Sequence, residues 1–558
     1  MSEELKPQAA APQAAAKPAA PRAAAAKPAA PAKPAVNELK PTVVEPADLR
    51  AELVRLHDKE GMDFLLNLTG EDWMDEGLGV VYQLENTADG KQACVKCVCP
   101  DRENPMLPSV CDLWDIAHTY EREVYDFYGI VFTNHPDMRR LFMREDWVGY
   151  PFRKDDKTEE ENPLRMTNEP LSDFTTEYNL HEDGTVEKVE HRVWDKDDYV
   201  VNIGPQHPST HGVLHFRVAL EGERIRKIDP HLGYIHRGVE KISEQMTYPQ
   251  TLALTDRLDY LGAMQNRHAL CMCIEQAMGV EVSDRVQVIR TIMDELQRID
   301  SHILFFSCLC QDLGATTAFL YGFRDREEVL KIFEKTTGGR LIINYNMIGG
   351  VAHDLHPDFV KDVKHFINET MPKGLKEYHS IFTGNVIFRN RSIGVGPLSK
   401  EQVISYGCTG GTGRAAGWHC DLRKHRPYAA YDQVKFNEIT YESGDSMDRY
   451  MVRLKEIEES CEIIRQLIDN IPEGPIQEKL KPIVKVPEGC YYSAVEGSRG
   501  ILGVYLESKG DKSPYRLHYR STGLPLVAAL DEACRNYMIA DLITIGGTMD
   551  YIIPDIDR

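Results

Sequence analysis

The stretch SDRVQVIRTIMDELQRIDSHILFF, residues 283–306, carries a long helical signal. Ser283 and Asp284 are residue types that cap helix N-termini well. Behind them, apolar residues recur near the helical period, at Val286, Ile289, Met293, Leu296 and Ile303. We therefore predict a mainly helical core for residues 199–558, with short strands near its start (VVNIG, LHFRVAL) and near its end (RGILGVYLES, YRLHYRS).

A smaller unit is predicted over residues 46–154. It opens with an amphipathic helix in which Leu49, Leu53 and Leu56 share one face. The strand-like runs FLLNLTG, LGVVYQLE and QACVKCVCP follow, separated by Gly, Asn and Asp. A second helix, LWDIAHTYEREVYDFYG, ends at Gly129. The expected fold class is α+β, with this small α+β domain preceding the mainly helical one.

Two segments lack the composition of a packed domain. Residues 1–45 are mostly Ala, Pro, Lys and Gln, so they bury little and are predicted to form a disordered tether. Residues 155–198 are rich in charge and poor in apolar side chains. We expect a solvated connector there.

The chain as a whole is acidic and 558 residues long, with a formal charge of −22. This charge argues against a nucleic-acid partner. No run of about 18 uncharged apolar residues occurs, because Asp312 interrupts the nearest candidate, and no secretory signal is visible. The 13 cysteines are expected to be free thiols in a cytoplasmic protein.

The cysteines allow two interpretations. Cys94, Cys97, Cys99 and Cys111 could supply four thiolates to zinc or to an iron–sulfur cluster. The alternative is that an apolar strand uses cysteine as a small hydrophobic residue, which the context QACVKCVCP favours. The CxC pairs Cys271/Cys273 and Cys308/Cys310 lie on predicted helices and are expected in the core.

Two histidines follow in VNIGPQHPSTHGVLHF, residues 201–216. Pro208 disfavours helix at His207, so His207 and His211 cannot form a helical HxxxH metal pair. A tight loop between two strands is expected instead. Such loops often carry binding groups, although a histidine that only bonds loop backbone is the alternative.

Two further segments place polar groups among apolar ones. If TDRLDYLGAM is helical, Arg257 and Tyr260 share a face, with Met264 one turn on. In CQDLGATTAF, Asp312 interrupts an apolar run. A buried aspartate needs a partner, and a histidine suits it.

The motifs GPQHPSTHG, PHLGYIHRGVEK, TDRLDY, QDLGA, DLRKHRPYAAYDQV and PDIDR resemble the 49-kDa, or D-type, quinone-reducing subunit of respiratory complex I. YEREVYDFYGIVFTNHPDMRRLFMREDWVGYPFRKD resembles the 30-kDa, or C-type, subunit. The chain is thus similar to a fusion of the two. The D-type fold is similar to the large subunit of nickel–iron hydrogenases, whose two CxxC metal motifs are absent from LTDRLDYLGAM and DLITIGGTMDYIIPD.

This resemblance implies a set of site residues. His211 and Tyr260 would bond the quinone head group, with Met264 beside it, and Asp312 would pair with His211. The chain itself would hold no metal. The electrons would come from a 4Fe–4S cluster in a partner B-type subunit, with Arg257 and Arg237 near that cluster.

The sequence departs from many relatives at GGRLIINYNMIGG. Ile342 stands where they carry histidine, and Met347 where they carry arginine. Losing both groups should lower the potential of the nearby cluster, which favours menaquinone as the substrate.

The resemblance also implies partners and a place in the cell. The partners would be the B-type, I-type ferredoxin-like, G-type, H-type and A-type subunits, and membrane contact would run through partner subunits. The expected location is the cytoplasmic side of the inner membrane, as a peripheral subunit of a proton-translocating NADH-quinone oxidoreductase. A hydrogenase-like subunit is the alternative that nickel analysis would detect. A non-catalytic scaffold is the second alternative. Protection of Tyr260 from chemical modification by quinone analogues would argue against it.

Overall fold

Strands form most of the early chain and helices form most of the later chain. The computed structural model describes residues 37–158, 172–181, 183–207 and 212–558, so His211 and most of the predicted tether lie outside the described residues. The described residues belong to one compact unit. No described helix is long and apolar enough to cross a membrane.

Seventeen strands occur in the described residues. In chain order they are β1 Glu38–Leu39, β2 Thr42–Val44, β3 Phe64–Asp72, β4 Leu78–Glu85, β5 Gln92–Cys99, β6 Met106–Pro108, β7 Val131–Thr133, β8 Phe174–Leu180, β9 Val186–Arg192, β10 Tyr199–Ile203, β11 His215–Glu221, β12 Arg224–His231, β13 Asn346–Met347, β14 Gly350–Val351, β15 Gly489–Gly497, β16 Gly500–Ser508 and β17 Arg516–Arg520.

Eighteen α-helices occur in the same part of the chain. They are α1 Leu49–Glu60, α2 Ala117–Tyr128, α3 Val239–Glu244, α4 Tyr248–Thr255, α5 Ala263–Met278, α6 Asp284–Asp312, α7 Thr316–Thr337, α8 Phe359–His365, α9 Met371–Tyr378, α10 Val386–Ser392, α11 Lys400–Ser405, α12 Gly410–Ala415, α13 Leu422–His425, α14 Ser446–Leu467, α15 Gly523–Ala528, α16 Leu530–Cys534, α17 Ile539–Met549 and α18 Ile553–Ile556.

The first part of the chain has the predicted elements. The three strand-like runs form β3, β4 and β5 in a sheet of order β2-β5-β4-β3, and the leucines of α1 are buried. Helix α2 ends at Gly129 in the left-handed conformation that favours glycine at this position. Gly70 lets α2 approach β3, because a Cβ there would lie 2.5 Å from the Tyr128 ring. The predicted α+β unit is confirmed.

The later part is mainly helical, as predicted. Helix α6 begins after Ser283, whose side chain accepts a hydrogen bond from the backbone N–H of Val286, and it runs 29 residues to Asp312. It packs against α7, α14 and α17. The expected strands are β10, β11, β16 and β17. Helix α6 is thus the central helix of this part.

The start of the described chain corrects the predicted extent of the tether. Residues 38–44, assigned to it by composition, form β1 and β2. Strand β1 pairs antiparallel with β15, and β2 pairs parallel with β5. Asn37 also donates hydrogen bonds to the Cys273 carbonyl (3.1 Å) and the Ser493 hydroxyl (3.0 Å). This segment joins the two main sheets.

The predicted connector also contains regular structure. Strands β8 and β9 pair antiparallel, from Phe174 opposite Arg192 to Leu180 opposite Val186. Most of their side chains are exposed or half-buried, which agrees with the predicted solvation. The connector thus contains a two-stranded sheet that its composition did not predict.

Buried charges join the two parts of the chain. Arg558 bonds Glu123 of α2 at 2.6 Å and Glu240 of α3 at 3.1 Å, while Arg516 bonds Glu240 at 2.7 Å. Glu123, Glu240 and His518 each present a ligand atom within 4.8 Å of the others, which is a spacing that metal sites use. Because the two guanidinium groups already neutralise these carboxylates, we interpret the cluster as an ion-pair network.

A second contact across this junction pairs two carboxyl groups. Glu71 of β3 is fully buried beside Glu507 of β16, and Tyr505 donates to it at 3.1 Å. Burial, and then the neighbouring Glu507, raise the pKa of Glu71 well above its ordinary value. Although burial opposes the change, hydrogen bonds from Lys509, Glu71 and Trp73 lower the pKa of Glu507. Of the two carboxyl groups, Glu71 therefore has the higher pKa.

Two truncations test the role of the first strands. Removing residues 2–34 should leave thermal stability unchanged, because an Ala/Pro composition forms no core. Removing residues 2–44 should cost about 3 kcal/mol or more, since two strand pairings and the Asn37 hydrogen bonds disappear. Thermal unfolding of both purified variants would measure this. Equal stability of the two would show that β1 and β2 contribute little.

The carboxyl pair predicts a pH-dependent effect of Glu71→Gln. Because the folded-state pKa of Glu71 is raised, its contribution to stability falls as pH rises above the ordinary value of 4.5. The slope is up to about 1.4 kcal/mol per pH unit until the raised pKa is reached. The glutamine keeps the hydrogen bonds without needing a proton. The variant should therefore be stabilised at pH 8, with a smaller gain at pH 5, whereas the exposed control Glu76→Gln should show no such trend.

Candidate functional site

The candidate site lies around the C-terminal end of α6. Asp312 is the last residue of this helix and is half-buried, which corrects the expectation of a fully buried side chain. Gly547 of α17 faces it, because a Cβ added there would lie 3.7 Å from an Asp312 carboxylate oxygen. The predicted partner His211 lies outside the described residues, so the proposed pairing stays a prediction.

Tyr260 is carried by a turn. The segment from Asp256 to Gly262 joins α4 to α5 without helical structure, so the predicted common helix face of Arg257, Tyr260 and Met264 is wrong. Tyr260 is half-buried and Arg257 is exposed. Met264, the second residue of α5, has no exposed surface and packs into the core with α6.

A buried arginine stands next to this turn. Arg499 donates to Asp259 at 2.8 Å, to Ser301 of α6 at 3.0 Å and to Asp550 at 3.2 Å. Asp259 precedes Tyr260, and Asp550 follows α17. The segments LTDRLDYLGAM and DLITIGGTMDYIIPD are thus joined through one guanidinium group.

The charges of Arg499 and Asp259 affect the pKa of Tyr260. Burial raises the pKa of Tyr260, and the positive charge of Arg499 opposes that shift. Burial also raises the pKa of the adjacent Asp259. Tyr260 therefore stays a neutral phenol across the physiological range, able to donate a hydrogen bond or a proton.

Cys308 belongs to the same region, which corrects its predicted place in the core. It is half-buried, whereas Cys271, Cys273 and Cys310 are buried as expected. Burial raises the pKa of the Cys308 thiol to about 11, with Asp312 and Asp550 contributing to the rise. The Cys308 thiol also contributes to the raised pKa of Tyr260. The structure thus brings Tyr260, Cys308 and Asp312 together.

The remaining predicted residues lie on several elements. Strands β10 and β11, expected on either side of the histidine motif, pair from Tyr199 opposite Leu220 to Ile203 opposite Phe216. Residues 208–211 of the predicted loop lie outside the described residues. His207 is exposed and not helical. Arg237, which precedes α3, is exposed as well.

Ile342 is half-buried, just before β13. Met347, where the resemblance implies an arginine in many relatives, lies beside an arginine of this chain. Arg267 of α5 places its guanidinium 3.2 Å from the Met347 sulfur and donates to the backbone carbonyls of Leu252 and Asn346. Burial lowers the pKa of Arg267. Arg267 thus places a cation beside Met347, and the effect of positions 342 and 347 on the cluster's potential stays a prediction.

The cysteines of the first part lie on two faces of a strand. Cys97 and Cys99 of β5 pack into the main core, while Cys94 packs on the opposite face near Trp73 and Tyr505. Burial raises the pKa of Cys94 and Cys97 to about 12, and that of Cys99 and Cys111 to about 11. Their placement fits the interpretation of small hydrophobic residues.

Several residues of the site were missed from the sequence. Asp259 lies inside the motif that carries Tyr260, and Asp550 lies inside DLITIGGTMDYIIPD. The resemblance had therefore already marked both segments. Arg499 carried no motif signal, since it is one residue in a turn between two strands. For Cys308 the sequence showed only a CxC pair on a predicted helix.

Known families match both parts of the chain. Residues 42–162 match the 30 Kd subunit of respiratory-chain NADH dehydrogenase, and residues 312–485 and 479–558 match its 49 Kd subunit. The fused C/D subunit of NADH-quinone oxidoreductase from Bacteroides thetaiotaomicron is 65% identical over 525 residues, which covers 92% of this chain and 99% of that protein.

Of two further relatives, one matches nearly the whole chain and the other matches about two thirds of it. The C/D subunit from Phocaeicola vulgatus is 65% identical over 514 residues, covering 92% of this chain and 99% of the relative. The separate D-type subunit from Geobacter sulfurreducens is 41% identical over 383 residues, covering 64% of this chain and 98% of the relative.

Fold and comparisons together define a two-part subunit of a respiratory oxidoreductase complex. The chain belongs to the family of fused C/D subunits of NADH-quinone oxidoreductase, respiratory complex I. Other subunits of that complex are therefore its partners.

Proposed function

We propose that this chain forms the quinone-reduction site of the complex, with Tyr260 as a proton donor to the quinone head group. One observation carries the proposal: Tyr260 of the turn before α5 is half-buried near Cys308, which lies one turn before Asp312 on α6, and these groups influence one another's pKa. The nearby segments lack the cysteine pairs with which hydrogenases hold metal.

The chemistry needs proton donors. A quinone that takes up two electrons and two protons becomes a quinol, and negative charge develops on its two oxygens before protonation. A phenol on one oxygen and an imidazole on the other supply the protons and stabilise that charge. By resemblance the imidazole is that of His211, held by Asp312; Met264, which the resemblance also places beside the head group, is fully buried here.

The electron donor belongs to a partner. A 4Fe–4S cluster in a B-type subunit would deliver electrons singly, with Arg257 and Arg237 close to it; both are exposed here and so accessible to a partner. Menaquinone remains the favoured substrate because Ile342 replaces a titrating histidine. The I-type, G-type, H-type and A-type subunits would complete the surroundings, with the chain peripheral on the cytoplasmic side of the inner membrane.

Tyr260→Phe tests the proton donor. The change keeps the ring and removes the hydroxyl, so quinone reduction by the assembled complex should fall by about 10²-fold or more with thermal stability preserved. Tyr491→Phe, which removes the hydroxyl of a buried strand tyrosine, is the matched control and should keep full turnover. The proposal fails if Tyr260→Phe leaves turnover intact but alters stability.

Quinone protection of Cys308 gives a readout that does not depend on turnover. A menaquinone analogue in the site should slow alkylation of Cys308 at pH 9, because the ligand covers a half-buried thiol. Site-resolved mass spectrometry would follow this modification, with the half-buried Cys111 of the first part as the internal reference. Equal slowing at both cysteines, or none at Cys308, would place the quinone elsewhere.

The residue at position 342 predicts the pH dependence of the partner's cluster. Without an imidazole there, its midpoint potential should be nearly independent of pH between about 6 and 8, the range in which histidine titrates. Ile342→His should introduce a slope. Redox titration followed by electron paramagnetic resonance would measure both, and a clear slope in the unmodified complex would contradict the prediction.

A further inference from the structure

Arg499 occupies an unusual position for a charged residue. It lies with Ser498 in the two-residue turn between β15 and β16, and 1% of its surface is exposed. The neighbouring Gly500 is required for this tight approach, because a Cβ there would lie 2.4 Å from the Thr409 hydroxyl and its φ is +136°. The turn thus directs a guanidinium group inward.

Three elements meet at that guanidinium. One terminal nitrogen, Nη1, donates to both Asp259 and Ser301, and the other, Nη2, donates to Asp550. The three acceptors lie in the turn that carries Tyr260, in α6 and immediately after α17. Asp550 adopts a left-handed conformation, with φ of 62°.

The ion pairs of Arg499 with Asp259 and Asp550 offset the cost of burying their charges. Taking a guanidinium and two carboxylates out of water is costly, and only their mutual attraction and hydrogen bonds offset that cost. Removing the cation would leave Asp259 and Asp550 buried near each other without compensation. Among the described residues, Arg453 is the other cation near Asp550, at 3.4 Å.

The turn from Asp256 to Gly262 has other fixed points, among them the buried Leu258 and a hydrogen bond from Asn344 to the Asp256 carboxylate. Asn266 of α5 donates to the Asp259 carbonyl at 2.8 Å, and the Asp259 side chain accepts from the Leu261 N–H at 3.0 Å. Both bonds hold the turn to itself or to α5. The bond from Arg499 holds it to the opposite side of the site.

We propose that Arg499 is a positioning residue of the quinone site: its guanidinium joins the Tyr260 turn to the Asp550 turn and thereby fixes the position of the phenol. The inference rests on the proposed role of Tyr260. A displacement of about 1 Å in a reacting group can cost about 10²-fold in rate, so such a fixed point matters for turnover.

The charge of Arg499 adds an electrostatic contribution. Burial raises the pKa of the Tyr260 phenol, and Arg499 is the first group that opposes the rise. As Tyr260 passes a proton to a reduced quinone oxygen, negative charge develops on the phenol oxygen. The nearby guanidinium stabilises this charge.

The test compares two arginine variants in the purified complex. In Arg499→Met, kcat with a short-chain menaquinone should fall by about 10²-fold, with a much smaller change in KM, and backbone hydrogen exchange over residues 256–262 should become faster. Arg520→Met is the matched control, because Arg520 is equally buried and bonds the backbone carbonyls of Leu66, Ile501 and Gly407. It should leave kcat per assembled complex and exchange over this turn unchanged.

Arg499→Lys keeps the test decisive if the methionine variant does not assemble. An ammonium group can reach one carboxylate but cannot span both in the same way. Its kcat should fall by about 10-fold, with faster exchange over residues 256–262. Unchanged kcat and exchange in either Arg499 variant, or equal losses in Arg520→Met, would overturn the inference.

The outcome for Tyr260→Phe separates this inference from the proposed function. If Tyr260→Phe lowers turnover and the Arg499 variants do not, the positioning role is wrong while the quinone site stands. If Tyr260→Phe has no effect, the proposed function itself is wrong.

Discussion

A buried guanidinium needs hydrogen-bond partners to replace water, and this constraint governs both the junction of the two parts and the candidate site. Eight arginines are among the largest fully buried side chains of the described residues. Arg558 and Arg516 neutralise Glu240 where the first part meets the second, and Arg499 neutralises Asp259 and Asp550 beside Tyr260. Each pair fixes an orientation, because the planar fork of arginine matches a carboxylate in a limited set of geometries.

Such pairing makes the relative placement of distant segments specific. Apolar packing alone tolerates small displacements, whereas an ion pair out of water loses most of its compensation when its hydrogen bonds are broken. Strand β1 adds to this by extending the second part's sheet while β2 extends the first part's sheet. The fused subunit is therefore joined by backbone pairing as well as by charge.

The site follows from the same arrangement. Helix α6 supplies Ser301 to Arg499 and, further along, Cys308 and Asp312 to the region near Tyr260. A turn with little regular structure holds a side chain such as Tyr260 in place only when neighbouring elements fix it. Arg267, beside Met347, shows how a charge can be supplied from a different helix when the local residue is apolar.

The sequence by itself determined the local elements and the family. The apolar period of residues 283–306, the leucines of α1 and the alternating strands depend on near neighbours, so local pattern reports them directly. The long motifs identified the resemblance and located Tyr260 and Asp312. Tertiary structure decided what depends on distant segments: the pairing of residues 38–44 with two sheets, the turn around Tyr260, the half-buried position of Cys308 and the place of Arg499. These could not be read locally, because a lone arginine in a turn is ordinarily solvated. It becomes part of a site only when carboxylates 240 and 51 positions away in the chain are brought to it.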